Sequence, residues 1–379
     1  MNILLVVLAV LGGALALYLL NKKSGNSKPD HSSQRHVPAP AQTPRPIHRP
    51  VPSAETTAEA APRAAIPPEL ASFHLARSDD IPKDQRQNII DKLRNIPRPP
   101  SSLHKLVAPE FLANASSAEI SELMMGEPQI TAKILAVVNS PLYGLSRPLA
   151  SIGQAATFLG TNTVRGICLQ YLLDESLQAG SPEIKKVFDQ IWDASAFASE
   201  LSFKLAQLLG MPEPGVLATQ VVLSYLGRLA CYSLLPQEAV TQLATKGLLE
   251  RYVAEQQMIA LTSAEIGSLL LTEWSLPPSI VAAVRGIDLV LVTPFSPSNT
   301  VPLARHALCY LCVRLGEQLA SGTLTDLRDF DLSAQTGPDF YYLAGYLELP
   351  GLHRLSEYLH FPEVVSSTNK MASAMRLRR

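Results

Sequence analysis

Residues 126–160 constrain the fold more than any other stretch of this chain. Gly126-Glu-Pro-Gln-Ile-Thr-Ala-Lys-Ile-Leu-Ala-Val-Val-Asn-Ser-Pro-Leu-Tyr143 places Pro128 at a first helical position, where its missing N–H costs nothing. Ile130, Ile134, Leu135 and Val138 then recur on one helical face. Asn139-Ser140-Pro141 breaks that helix: Pro141 cannot continue it, and the Asn139 amide can satisfy the carbonyls left open at its end. Tyr143 can pack its ring and place its hydroxyl in a polar contact. Ser151 can cap a second short helix, and Gly160 can end it in the left-handed conformation. The segment reads either as an internal staple or as part of a partner-binding groove, and the two readings are compatible.

The same punctuation continues on both sides. Asn95-Ile-Pro-Arg-Pro-Pro100 is extended and opens the body, and Asp79-Asp80 lies where order begins. Ser116-Ser-Ala-Glu119 and Thr262-Ser-Ala-Glu265 have the form of capping boxes. Ser181-Pro182-Glu183 starts a long helix that runs to Gly210-Met-Pro212, and a further helix follows Pro214 and stops at Pro236. Pro277-Pro278 breaks the chain and starts another. Strict two-residue alternation nowhere persists for the length of a strand, so the expectation is all-α, a multi-helix bundle in which each helix buries one stripe. Beyond it, short helical pieces are expected around Tyr341–Leu347 and Leu352–Leu359, docked on the body through their Leu and Tyr side chains.

The N-terminus differs. Ile3–Leu20 is apolar and uncharged; as a helix it is about 27 Å long, enough to span a bilayer core of roughly 30 Å. Ala14-Leu-Ala16 looks like a signal-peptidase site, but no Lys or Arg precedes the run, and Leu17-Tyr-Leu-Leu20 stays apolar beyond it. Asn21-Lys22-Lys23 follows at once, which favours a cytoplasmic C-terminal side. The reading is an uncleaved anchor in a bacterial inner membrane, with a cleaved signal as its rival. The residues after it are rich in Pro, Ala, Ser and Thr and cannot bury enough surface to offset their chain entropy. The expected organisation is an anchor at 1–21, a disordered linker at 22–80, a helical domain at 81–322 and a helical extension with a basic tail at 323–379.

A formal net charge of −1 offers no basic field for nucleic acid, and none is expected as a partner. Cys168, Cys231, Cys309 and Cys312 all lie in apolar helical patterns and read as small buried hydrophobes in a reducing compartment. Cys309-Tyr-Leu-Cys312 has metal-ligand spacing but no second pair. Arg165 reads as part of a solvated face, and His306 as exposed or hydrogen-bonded. No Walker loop, dinucleotide fingerprint or Gly-x-Ser-x-Gly elbow is present.

The Pro-started helix, the Asn-Ser-Pro break and the Gly-closed second helix resemble the HDOD domain, a helical relative of the HD-type metal phosphohydrolases. The resemblance covers about Ile96–Gly322. HD chemistry needs imidazoles and a carboxylate converging on metal ions that activate a water. Yet no histidine lies between His104 and His306. Where HD relatives carry Trp-x-His-Ser, this chain has Trp192-Asp-Ala194-Ser195. Leu-Leu-His-Asp-Ile-Gly is matched by Val222-Leu-Ser224-Tyr225-Leu-Gly227, Thr-His-Ala-Glu-x-Gly by Thr262-Ser263-Ala-Glu265-Ile-Gly267, and the last histidine pair is missing around Gly286. The resemblance therefore implies vestigial positions at Ala194, Ser224, Tyr225, Ser263 and Gly286, with no catalytic residue, metal or cofactor. Pro128, Asn139, Ser140, Pro141, Tyr143, Gly160 and Trp192 are the candidates for the staple or partner surface. It further implies a regulatory protein partner. The alternative is a degenerate enzyme that holds a nucleotide or cyclic dinucleotide, unhydrolysed, near Trp192, Ser224 and Ser263.

Overall fold

A computed structural model describes residues 65–140, 145–295 and 300–376, all within one unit spanning 64–379. Among the described residues there are 18 α-helices and no strand. The expected anchor at Ile3–Leu20 and its linker up to residue 64 lie outside the described residues, as do Pro141 and Tyr143. No helix of the described residues is long and apolar enough to cross a membrane.

The entry helices are α1 (Pro68–Ala71), α2 (Lys83–Arg94), α3 (Ser102–Leu106), α4 (Pro109–Asn114), α5 (Ser117–Met125), α6 (Pro128–Val138), α7 (Ile152–Leu159) and α8 (Thr161–Asp174). The centre is built from α9 (Pro182–Leu208), α10 (Pro214–Ser233), α11 (Gln237–Leu243), α12 (Leu248–Ile259), α13 (Ser263–Glu273), α14 (Pro278–Leu289) and α15 (Thr300–Ser321). The chain closes with α16 (Leu343–Tyr346), α17 (Leu355–Leu359) and α18 (Pro362–Arg376).

Capping chemistry sets the starts. Ser116 and Glu119 form the reciprocal capping box of α5. Ser151 caps α7 by accepting from the Gln154 N–H, and Ser181 caps α9 by accepting from that of Ile184. Thr262 accepts from the Glu265 N–H, but the second half of the expected box is missing. The Glu265 carboxylate, buried, turns to other partners instead, accepting the Ser78 N–H at 2.9 Å and an Arg285 Nη2 hydrogen at 2.7 Å. Gly160 has positive φ as expected, but its ψ of 146° takes it out of the left-handed helical region. It joins α7 to α8 in one residue, a conformation that side-chain-bearing residues avoid.

The 27-residue α9 packs mainly on α15 and α10. Sixteen of the 20 residues of α10 are buried, which makes it the central helix of the bundle. It crosses α13 backbone to backbone: a Cβ added at Gly267 would lie 2.8 Å from the Gly227 Cα. Glycine at both positions is what allows that approach.

Two expected boundaries move. The body begins well before residue 81: Leu70 is buried, the Ala76 N–H donates to Gln256 Oε1 at 2.9 Å, and Ser78 is tied to Glu265. The linker expected over 22–80 thus overlaps ordered chain from residue 65, where two hydrogen bonds, from Ala76 to Gln256 and from Ser78 to Glu265, tie the segment to α12 and α13. The C-terminal extension is docked as a wall of the body. Asp339 accepts the Leu248 and Leu249 N–H groups at 2.9 Å each, capping α12 from a distant loop, and the unanticipated α18 lies on α9.

Candidate functional site

The vestigial positions lie on four helices of the centre, Ala194 on α9, Ser224 and Tyr225 on α10, Ser263 on α13 and Gly286 on α14, and two of them, Ala194 and Tyr225, meet at Gly316 of α15. Ala194 is buried on α9, and Tyr225 is buried on α10 with its hydroxyl donating to the Val313 carbonyl at 3.1 Å. Both face Gly316 on α15. A Cβ there would lie 2.5 Å from the Ala194 carbonyl oxygen and 3.0 Å from the Tyr225 hydroxyl. At that junction no room is left even for a methyl group. Ser224 is half-buried, and its hydroxyl is returned to the Val221 carbonyl at 2.7 Å. Ser263 is buried, and its N–H donates to Glu255 Oε2 at 2.6 Å. Gly286 is also buried, and the His306 ring occupies its missing side chain's space: a Cβ at 286 would stand 2.3 Å from the His306 Cε1. His306 is half-buried against Gly286, and burial followed by Arg305 pushes its pKa down.

Beside these positions lies a cluster that the sequence did not disclose. Arg228 (α10), Arg251 (α12) and Arg314 (α15) converge on Glu317 (α15). The Arg228 Nη1 and Arg251 Nη2 hydrogens reach Glu317 Oε1 at 3.1 and 3.0 Å, and Arg314 Nη1 lies 3.0 Å from Oε2. Burial alone would raise the Glu317 carboxyl, but Arg251, Arg314 and Arg228 outweigh it and hold it at about 2. Glu255 and Asp288 complete the charge balance, and burial pushes both carboxyls above their ordinary values. The three guanidiniums thus share the ionised Glu317, and Glu255 Oε1 stands 4.0 Å from Arg251 Nε. Residue by residue, arginine and glutamate read as solvated; only the meeting of three distant helices reveals the cluster.

The remaining candidates separate. Trp192 is buried on α9 and is therefore a packing residue, not part of an exposed surface. Pro128 is exposed at the start of α6. Asn139 bridges ten residues: its Nδ2 donates to the Leu149 carbonyl at 2.9 Å and its Oδ1 accepts the Leu149 N–H at 2.7 Å. The amide thus closes the loop that Ser140 begins. Arg165 is not on a solvated face, as expected, but buried, donating to the Leu112 carbonyl at 3.1 Å and to Asn162 Oδ1 at 3.2 Å. All four cysteines are free and buried, and burial pushes the Cys168 and Cys309 thiols up to about 12.

The fold would lead one to expect a metal at the vestigial positions, and the residues there do not fit one. The Tyr225 and Ser224 hydroxyls are spent on backbone carbonyls, and Ala194 and Gly286 bring no side-chain donor atom. Three guanidinium groups stand alongside, where a divalent cation would be repelled. Among the described residues no group of three His, Cys, Asp or Glu side chains could hold a metal ion. Trp192, Ser224 and Ser263 do not line any of three prominent cavities among the described residues.

An all-helical bundle with alanine, serine, tyrosine and glycine at these positions defines a class: HD-like scaffolds without the imidazole set. The chain belongs to the HDOD domain family, whose match covers residues 96–288. An uncharacterized protein of Treponema pallidum (strain Nichols) is 22% identical over 203 residues, which are 52% of this chain and 38% of that protein. This chain thus spans well under half the length of that curated relative. A solved HDOD domain protein of unknown function from Geobacter sulfurreducens is 17% identical, with a TM-score of 0.52 over 76% of this chain and 97% of its own. A structure from Shewanella amazonensis SB2B named "Putative phosphohydrolase" is 18% identical, with a TM-score of 0.48 over 76% of this chain and 97% of its own. At such identities the likeness is one of fold alone.

Proposed function

We propose that this protein is a catalytically inert HDOD regulatory module, tethered to a membrane by Ile3–Leu20, that acts by binding a protein partner. The observation that carries the reading is the closure of the vestigial site. Gly316 meets Ala194 and Tyr225 with no space for a methyl, and the neighbouring volume holds arginine–glutamate pairs. A scaffold that has filled its reaction centre with packing atoms retains surfaces, not chemistry. The tether rests on the uncharged apolar run and the Lys22-Lys23 that follows it.

The test is hydrolysis of bis(p-nitrophenyl) phosphate by the full chain in detergent, with Mn2+ or Mg2+. The reading expects the rate of buffer and metal alone. Turnover that a chelator abolishes and manganese restores would overturn it.

A further inference from the structure

We propose that a cleft of about 520 Å³ between α8, α9 and α18 binds an uncharged heteroaromatic molecule of nucleobase type. The cleft exists because small residues face one another across it: Gly166 on α8, Ser195, Ala196 and Ser199 on α9, and Ala218 on α10. A Cβ added at Gly166 would meet nothing within 4 Å, so the hollow lies directly over that residue. α18 supplies the opposite wall through Ser367, Met371 and Met375, and this helix lies outside the family match. The volume falls in the range of small-molecule sites, roughly 300–1,000 Å³.

The lining selects the ligand's chemistry. Phe158, Phe203, Met371 and Met375 offer flat and polarisable apolar contact suited to a ring. Asn162, Thr163, Gln170 and Ser195 present neutral donors and acceptors on the α8 and α9 side. Ser195 lines the cleft from α9, where a ligand can reach its hydroxyl. Asn and Gln amides pair naturally with the edges of purine bases. Glu200 and Lys370 are the two charged residues of the lining. Glu200 already accepts from Ser367 Oγ at 2.6 Å and lies 3.4 Å from Lys204 Nζ, and Lys370 is exposed at the rim. Among the lining residues the cation, Lys370, stands at the exposed rim, so the interior of the cleft offers a phosphate no counter-charge and favours a neutral ring. The inference goes beyond the proposed function, giving the module an input, and stands on different residues.

Calorimetric titration of the full chain with adenosine, guanosine and AMP tests it. Saturable binding of at least one nucleoside is expected, with AMP weaker. Gly166→Leu should weaken nucleoside binding by at least about tenfold by filling the hollow. That variant keeps its fold, since the added side chain enters open space and leucine favours a helix over glycine, which a thermal melt checks. Lys370→Ala should leave nucleoside affinity within about twofold, as an exposed charge does for a neutral ligand. Absence of nucleoside binding up to about 1 mM, well above the range of specific sites, overturns the proposal. So does binding that Gly166→Leu leaves unchanged, or AMP binding tighter than adenosine and lost in Lys370→Ala.

Discussion

At the scale of single residues, the most consequential side chain is Glu317. Its carboxyl sits at about 2 against an ordinary 4.5. A carboxyl depressed in the folded state contributes stability that is present above its unfolded pKa and lost as pH falls through the folded one. Glu317→Gln reproduces the protonated form and leaves three guanidiniums without their counter-charge. It should cost about 3 kcal/mol at pH 7, the scale for breaking a buried pair. The urea midpoints of variant and wild type should then converge as the pH falls from 4.5 to about 2. Equal midpoints at pH 7 would show that the cluster contributes nothing net. None of this was legible in the sequence. Arg228, Arg251, Arg314 and Arg165 look like surface charges until four separate helices bury them, whereas Ser151 and Ser181 announce their caps through strictly local bonding.

At the scale of elements, local chemistry fixes helix starts but not what their side chains reach. Thr262 and Glu265 have the spacing of a capping box, and Thr262 plays its half. Glu265 is drawn away by Ser78, 187 residues earlier in the chain, and by Arg285. No short-range pattern encodes that competition. It makes Glu265 the latch of the segment 74–78. Glu265→Ala should expose that strap, raising amide hydrogen exchange at Ala76 and Ser78 while the central α10 stays protected. Unchanged exchange at Ser78 would assign the attachment to Gln256 alone. The loop closed by Asn139 shows the same division. Pro128 and Asn139 marked the two ends of α6, but the Leu149 backbone that Asn139 holds could be found only in three dimensions.

At the scale of the whole molecule, the all-helical architecture was legible because proline, glycine and capping residues punctuate it densely. The lack of an imidazole set was legible because histidine is absent over a long interval. How those positions are packed was not, since close helix contact at Gly316 and Gly286 depends on packing between distant segments. The proposed tether belongs to this scale. A chain lacking residues 1–21 should move from the membrane to the soluble fraction of lysed cells, while the full chain stays in the membrane until detergent is added. A full chain found soluble without detergent would remove the anchor from the account.

The central claim is that an HD-like scaffold here holds no metal at its former ligand positions. Elemental analysis of the full chain, purified without chelator and supplied with manganese and iron during expression, tests this most directly. The account predicts transition metal far below one ion per chain. One or two tightly held ions per chain, lost together with thermal stability on exhaustive chelation, would contradict it.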